Sequence, residues 1–328
     1  MLGCLFGTSA CSEEDETENY ISQDELIVFY PIEGVGDRGY VDAIYRSMEE
    51  IALAHNLKIR HLIPHVDSNG LEVMQLFKKH EEDHRCLIVF TDPAQETVIE
   101  DCASIYTEDR NNQVLYLETR KKIPNIHTMY LPFYGANFAA GRMAQVMEDV
   151  NRVSVLCANP TLEVLQESAQ GFDEGFDAAD GQVLVVNYID SIGGGFDIAN
   201  QLYQSAYILN KKYDLVHPLC GGSVYGLLRF NREFPQSFYT VGMDIDLSDY
   251  SSRVPFSCVK HIGEALKYCV ELWENNALPD HLSLGLEEGY TDLVIAPAYR
   301  SLLDAQLDPI KAEAIEKEKA YELLKSNK

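Results

Sequence analysis

The run FYTVGMDIDL, residues 238–247, decides how this chain is read. Phe238 to Val241 is a short apolar stretch that stops at Gly242, and Asp244 and Asp246 follow at once. In an open α/β sheet ligands bind beyond the carboxyl ends of the strands, so carboxylates at such an end read as acceptors for hydroxyl or amine groups. They do not read as a catalytic apparatus.

Working outward, the same kind of strand recurs in alternation with amphipathic segments. Leu26 to Tyr30 predicts a strand, Tyr40 to His55 a helix, Leu57 to Ile63 a strand and Leu71 to Glu82 a helix. That order implies parallel βαβ units. Cys86 to Phe90, Gln113 to Glu118 and Thr128 to Phe133 complete a first sheet. A second series begins with the strand Arg152 to Cys157, a helix from Leu162 to Ala179 and the strand Val183 to Tyr188. It continues through a helix from Asp197 to Leu209 and the strand Leu215 to Leu219 to the opening strand itself. The expected fold class is α/β, with two Rossmann-like lobes, parallel sheets and a ligand cleft between them. Val254 to Val259, a helix through Trp273 and Gly289 to Ile295 are too little for a third domain and read as returns into the two sheets. Asp308 to Lys325, rich in Ala, Glu and Lys, reads as a closing surface helix. The expected division is residues 1–20 as signal remnant, lipobox and acidic tether, 21–132 plus 255–288 as the first lobe, and 133–254 plus 289–328 as the second.

Composition narrows the class of partner. The 328 residues are 46% hydrophobic, enough for two domains of ordinary size. Lys+Arg 26 against Asp+Glu 52 leaves a formal net charge of -26, which repels phosphate backbones and argues against nucleic acid as a partner. The eight cysteines, Cys4, Cys11, Cys86, Cys102, Cys157, Cys220, Cys258 and Cys269, show no CxxC pairing of a zinc site. They read mostly as buried thiols. At the N-terminus Leu5-Phe6-Gly7-Thr8-Ser9-Ala10 places small residues before Cys11, as a lipoprotein cleavage site does, making Cys11 the expected lipidated residue. No Lys or Arg precedes it, and ten residues fall short of the ~15–30 of a full signal, so the true start is expected upstream. The acidic run Ser12-Glu13-Glu14-Asp15-Glu16 reads as a tether, or equally as an ordinary solvated charge run.

Several short motifs have structural explanations that compete with functional ones. His80-Glu81-Glu82-Asp83-His84 matches HExxH in form, but its charged flanks place it at a solvated helix end and no third ligand is identifiable, so no metal is expected. Ser191-Ile192-Gly193-Gly194-Gly195-Phe196-Asp197, between a strand and a helix, is either an anion cradle or a flexible turn; it lacks the P-loop Lys-Ser/Thr. Cys220-Gly221-Gly222-Ser223 allows close backbone approach to a ligand, with Ser223 as a helix cap. Asp92, at the end of a strand and before Pro93, is a cap or a ligand acceptor. Lys260, on a returning strand and read as opposite Asp244, is a ligand donor or a salt-bridge partner. No Ser/His/Asp set or nucleophile elbow emerges, so neither a catalytic residue nor a cofactor is expected.

Taken in order, these strand-end motifs resemble the basic membrane protein family, the PnrA-like purine nucleoside receptors and relatives. The resemblance runs from about Leu26 to Pro297. It rests on Gly36-Asp37-Arg38-Gly39-Tyr40, on Tyr134-Gly135-Ala136-Asn137-Phe138-Ala139-Ala140-Gly141, on Gly171-Phe172-Asp173-Glu174-Gly175-Phe176, and on Gly221-Gly222, Gly242-Met243-Asp244-Ile245-Asp246 and Ser257-Cys258-Val259-Lys260. It implies a type I periplasmic-binding-protein architecture, a lipoprotein at the bacterial cell envelope, and a nucleoside held between the lobes for an ABC transporter permease. By position it implies Asp92, Asp244 and Lys260 as retained polar contacts, with Gly222 beside the sugar; Asp37, Tyr40 and Phe196 complete the expected ligand-binding residues, the aromatics stacking, the aspartates accepting and the lysine donating. The family's base-reading Asn and a stacking Phe are replaced by Val41 and Ile44, and valine cannot supply paired hydrogen bonds to a base. The expectation is therefore a small polyhydroxylated ligand, nucleoside or sugar-like. A sensory or surface-interaction lipoprotein without transport and a hydrolase in the same cleft are the alternatives.

Overall fold

Glu25–Phe29 (β1), ELIVF, is buried along its whole length, which marks a strand covered on both faces, and Lys58–Leu62 (β2) and Cys86–Phe90 (β3) pair with it in parallel on either side. In the computed structural model, residues 23–32, 34–64, 84–103, 111–179 and 181–326 are described. Asn112–Leu117 (β4), His127–Tyr130 (β5) and His281–Ser283 (β12) extend the sheet to the order β12-β5-β4-β3-β1-β2, every pairing parallel. Tyr40–His55 (α1) buries Ile44, Met48, Ile51 and Ala52, a spacing that makes one face of a helix, and packs beside Ile262–Glu274 (α7) on this sheet.

The second lobe is built on Arg152–Cys157 (β6), Val183–Tyr188 (β7), Leu215–Leu219 (β8) and Tyr239–Thr240 (β9), in the order β7-β6-β8-β9. The opening stretch of sequence then departs from expectation. β9 ends at Thr240, before Gly242 as expected, but Gly242 begins another strand, Gly242–Asp244 (β10), which pairs in parallel with Phe256–Lys260 (β11). Thr291–Ile295 (β13) closes that smaller sheet antiparallel to β11. Gly242 is required at the switch: a β-carbon there would lie 2.0 Å from the Ser257 hydroxyl. β11 is therefore held between β10 and β13.

Tyr134–Gln145 (α3) and Glu163–Phe176 (α4) cross so closely that a β-carbon on Gly175 would sit 2.1 Å from the Phe138 carbonyl oxygen, and one on Gly141 2.2 Å from that of Phe172. The glycine-rich stretches of residues 134–141 and 171–176 are therefore a helix-crossing device. Arg300–Ser326 (α8) is longer than the expected 308–325 and packs on α3 with Leu303, Ile310 and Ala314 buried.

Cys86, Cys157, Cys220, Cys258 and Cys269 are buried, as expected. Burial pushes the Cys157 and Cys269 thiols up to about 12, so they stay protonated and inert. Cys4, Cys11, the helix expected over 71–82 and His80 to Asp83 lie outside the described residues. His84 is described and approaches the buried Glu25 carboxylate at 3.6 Å. Among the described residues no cluster of His, Cys, Asp and Glu is arranged to hold a metal, and no helix is long and apolar enough to cross a membrane.

Candidate functional site

In the first sheet the strand order reverses beside β1, and in the second beside β6, so each lobe opens a crevice at the carboxyl ends of these strands. Beyond β1 lies the 34–39 loop that starts α1; beyond β3 lies Asp92; beyond β4 lies Glu118. The second lobe supplies Phe196, Gly222 and Asp244, and β11 ends on Lys260.

The centre of the arrangement is Lys260. Its ammonium lies 2.8 Å from Glu118 Oε1, with both side chains about 5% exposed (5% and 4%), and it faces the Phe133 ring at 4.9 Å and the Tyr40 ring at 5.2 Å. Lys260 therefore pairs with Glu118, and not with Asp244 as the sequence suggested. Asp244 stands nearby without a direct ion pair among the described residues. Burial pushes its carboxyl up to about 6 against the pull of Lys260, and the charges of Asp37 and Glu118 push the same way. Burial, then the charge of Glu118, drives the Tyr40 hydroxyl well above the ordinary phenol value, so it stays neutral. Two buried polar atoms facing this cluster, Tyr40 Oη and Glu118 Oε2, have no hydrogen-bond partner of proper geometry.

Glu118 was missed because the sequence shows it only as the last residue of a predicted strand. The rule that singled out Asp92 and Asp244, an acid at a strand's carboxyl end, would have found it. Its backbone was not legible: Glu118 and Asp244 have φ of 60° and 65°, a left-handed conformation that is uncommon for any residue but glycine. Such conformations cost about 1–3 kcal/mol each and persist where the surroundings enforce them.

The other expected residues divide by role. Asp37 caps α1, accepting from Gly39 N at 2.9 Å and from Val41 N and Asp42 N at 3.0 Å. Its backbone also touches the other lobe, since a β-carbon on Gly222 would meet the Asp37 carbonyl oxygen at 3.4 Å and that of Phe196 at 3.3 Å. Tyr225 Oη donates to the Arg38 carbonyl at 2.6 Å beside this contact, so the two lobes are closed on each other here. Tyr40, Asp37, Asp244 and Lys260 are thus brought together, as are Phe196, Gly222 and Asp37. Asp92 accepts from Ala94 N at 2.9 Å and caps the short turn Pro93–Gln95. Asp246 is exposed and holds the turn Ser248–Tyr250 through Ser248 N at 2.9 Å, so only Asp244 of the opening pair faces the cleft cluster. Ser223 does not cap its helix; it donates to the Gly195 carbonyl at 2.8 Å and accepts from Ile198 N at 2.9 Å, tying two loops together. Asp190 accepts from Ile192 N at 2.8 Å, which makes the glycine run behind it a turn rather than an open anion cradle. Ile44 is fully buried in the core under α1 and Val41 packs against the same core.

A surface cavity of about 400 Å³, lined by Arg38, Tyr203, Tyr225, Arg229, Arg232 and Tyr250 among others, lies beside the lobe contact and includes none of the strand-end carboxylates.

No protein-family model matches the chain, and no curated protein matches it. Solved structures do. An ABC transporter solute-binding protein from Aeropyrum pernix K1 is similar over 91% of this chain and 86% of its own, with a TM-score of 0.70 and 15% identity. A transcriptional activator of the comK gene from Bacillus halodurans is similar over 91% of this chain and 97% of its own, with a TM-score of 0.65 and 16% identity. An ABC transporter periplasmic solute-binding protein from Actinobacillus succinogenes 130z, with bound D-allose, is similar over 85% of this chain and all (100%) of its own, with a TM-score of 0.65 and 12% identity. At these identities the likeness is one of fold, and the fold is the two-lobed α/β architecture of periplasmic binding proteins.

Proposed function

We propose that this chain is a solute-binding protein that closes its lobes on a small polyhydroxylated ligand, sugar-like or nucleoside, and presents it to an ABC transporter permease. The observation that carries the reading is the convergence of Glu118, Asp244, Lys260 and Tyr40 from separate strand and helix ends onto one cluster, buried at the Lys260–Glu118 pair and half-buried at Tyr40 and Asp244, beside a closed lobe contact. Acids and a fixed ammonium ringed by aromatics hold hydroxyl groups by hydrogen bonds and a sugar or base face by stacking. Structures of this fold with bound D-allose and alpha-D-tagatopyranose support the ligand class. The contacts assigned to the ligand are Tyr40, Phe196, Gly222, Asp244, Lys260 and the added Glu118, with Asp37 and Asp92 shaping the loops at the rim. No catalytic role is assigned. The order of strand-end motifs supports descent alongside the PnrA-like receptors, and Cys11 supports lipid anchoring at the cell envelope. We place the lobe boundaries near 132, 260 and 288.

Thermal shift across a panel of monosaccharides and nucleosides tests the reading. A ligand at one hundred times its Kd stabilises by about 2.7 kcal/mol, and Asp244→Ala and Lys260→Ala should each abolish that shift. If both variants keep full affinity for the ligand found, the assigned site is wrong. Incorporation of an alkyne-tagged fatty acid, lost in Cys11→Ala, tests the anchor. The likeness to a transcriptional activator favours a second reading, a sensor without transport, in which the same ligand binds but cells lacking the protein take it up at an unchanged rate.

A further inference from the structure

The charges around Lys260 do not balance. Lys260 neutralises one carboxylate, Glu118, through the 2.8 Å contact at Oε1, and among the described residues the other oxygen, Oε2, is buried without a hydrogen bond of proper geometry, with the neutral Tyr40 hydroxyl beside the carboxylate. Asp37 is offset by the three backbone amides at the start of α1. Among the described residues Asp244 has neither an ion pair nor a helix start; Lys260 attracts its charge, while Asp37 and Glu118 repel it. The Tyr40 hydroxyl beside them stays neutral and supplies no positive charge. The cluster is thus one cation short.

We propose that the ligand is a polyol carrying one protonated amine, seated between Asp244 and Oε2 of Glu118, with its hydroxyls toward Lys260 and Tyr40. This rests on the solute-binding reading above and adds to it the charge of the ligand. A neutral sugar would satisfy these acceptors with O–H donors but leave the surplus negative charge in a closed, low-dielectric cleft. An ammonium removes it and forms charge-assisted hydrogen bonds, about twice as strong as neutral ones. An anionic ligand is disfavoured at the cluster and, with a formal net charge of -26, during approach.

Calorimetry on the full chain at pH 7.5 with matched pairs decides it: D-glucose and D-glucosamine, D-galactose and D-galactosamine, adenosine and 3′-amino-3′-deoxyadenosine. In at least one pair the amine should bind about tenfold or more tighter than its neutral twin. That preference should fall at least about tenfold in Asp244→Asn and in Glu118→Gln, two variants checked by circular dichroism so that a misfolded one does not decide the matter. Neutral twins binding as well as or better than amines overturn the inference and leave the solute-binding reading standing. Binding by no member of any pair overturns both. An amine preference that survives in both variants overturns the placement of the ammonium.

Discussion

Lys260 and Glu118 form a buried pair whose value to the fold is asymmetric. Removing one partner strands the other, which costs about 3–5 kcal/mol, whereas replacing both with apolar groups of similar size is close to neutral. Lys260→Met is therefore expected to lower stability by about 3–5 kcal/mol, and Lys260→Met with Glu118→Leu to recover most of it, read from urea unfolding midpoints of the single and double variants. Asp244 has the opposite character. Its carboxyl is raised to about 6 in the folded protein from an ordinary 3.8, so the native state binds more protons than the unfolded chain between those values. Stability from this group is full below about pH 4 and is lost as pH rises through 6. At pH 7 Asp244→Asn should stabilise the ligand-free protein by about 3 kcal/mol and flatten that acidic window while removing ligand affinity. A variant no more stable than the parent at pH 7 would show that Asp244 is not an uncompensated charge. Legibility at this scale followed residue chemistry. Asp244 was visible because an apolar run ends in an acid, but Asp37 and Asp92 suit a helix cap and a ligand equally, and only hydrogen-bond geometry separates them.

Elements were legible where period and punctuation agreed. α1, β3, β6, β7 and β8 fall within a residue or two of expectation, since the buried strands β3, β6 and β8 read as apolar runs, β7 reads as one although it is exposed, and α1 carries its buried residues on one face. The break at Gly242 was not legible, because a glycine after a strand signals a stop as readily as a change of partner. The α3–α4 crossing shows the same ambiguity: its glycines looked like motif residues, yet what they share is absent volume. Gly175→Ala would drive a methyl against the Phe138 backbone at 2.1 Å, and neither helix backbone can move aside as a side chain could. Overpacking there should cost about 3 kcal/mol and lower the thermal midpoint by several degrees, measurable by scanning calorimetry. Gly181→Ala, where a β-carbon meets nothing within 4 Å but φ is 90°, offers a comparison in which only backbone strain acts.

Across the whole molecule, the two lobes are joined where the chain leaves the first sheet after Tyr130 and again after Ser283, and Leu284 N bonds the Tyr130 carbonyl at 3.0 Å between these crossings. The C-terminal helix α8 holds both from behind. Glu318 accepts from Gly135 N at 2.7 Å and from Leu286 N at 2.9 Å, one bond to each crossing, while Glu167 accepts from Phe133 N at 2.9 Å and Arg120 bridges Glu167 to Glu322. A helix that the sequence suggested only as a surface cover is thus a brace across the joint. The brace has a pH signature. Burial pushes the Glu318 carboxyl up to about 8, against the pull of the two amides and with help from Glu167 and Glu322, whereas the unfolded chain titrates near 4.5. Between those values the native state binds the extra proton, so this contribution is complete below about pH 4.5 and is lost as pH rises through 8. Urea unfolding should show the protein about 3–4 kcal/mol less stable at pH 8.5 than at pH 5 through this group, a difference that Glu318→Gln removes because an amide does not titrate. Glu318→Ala leaves Gly135 N and Leu286 N without partners and should destabilise at both pH values by about 2–4 kcal/mol. An unchanged pH slope in Glu318→Gln would place the titration elsewhere, on Glu167, whose carboxyl burial also raises.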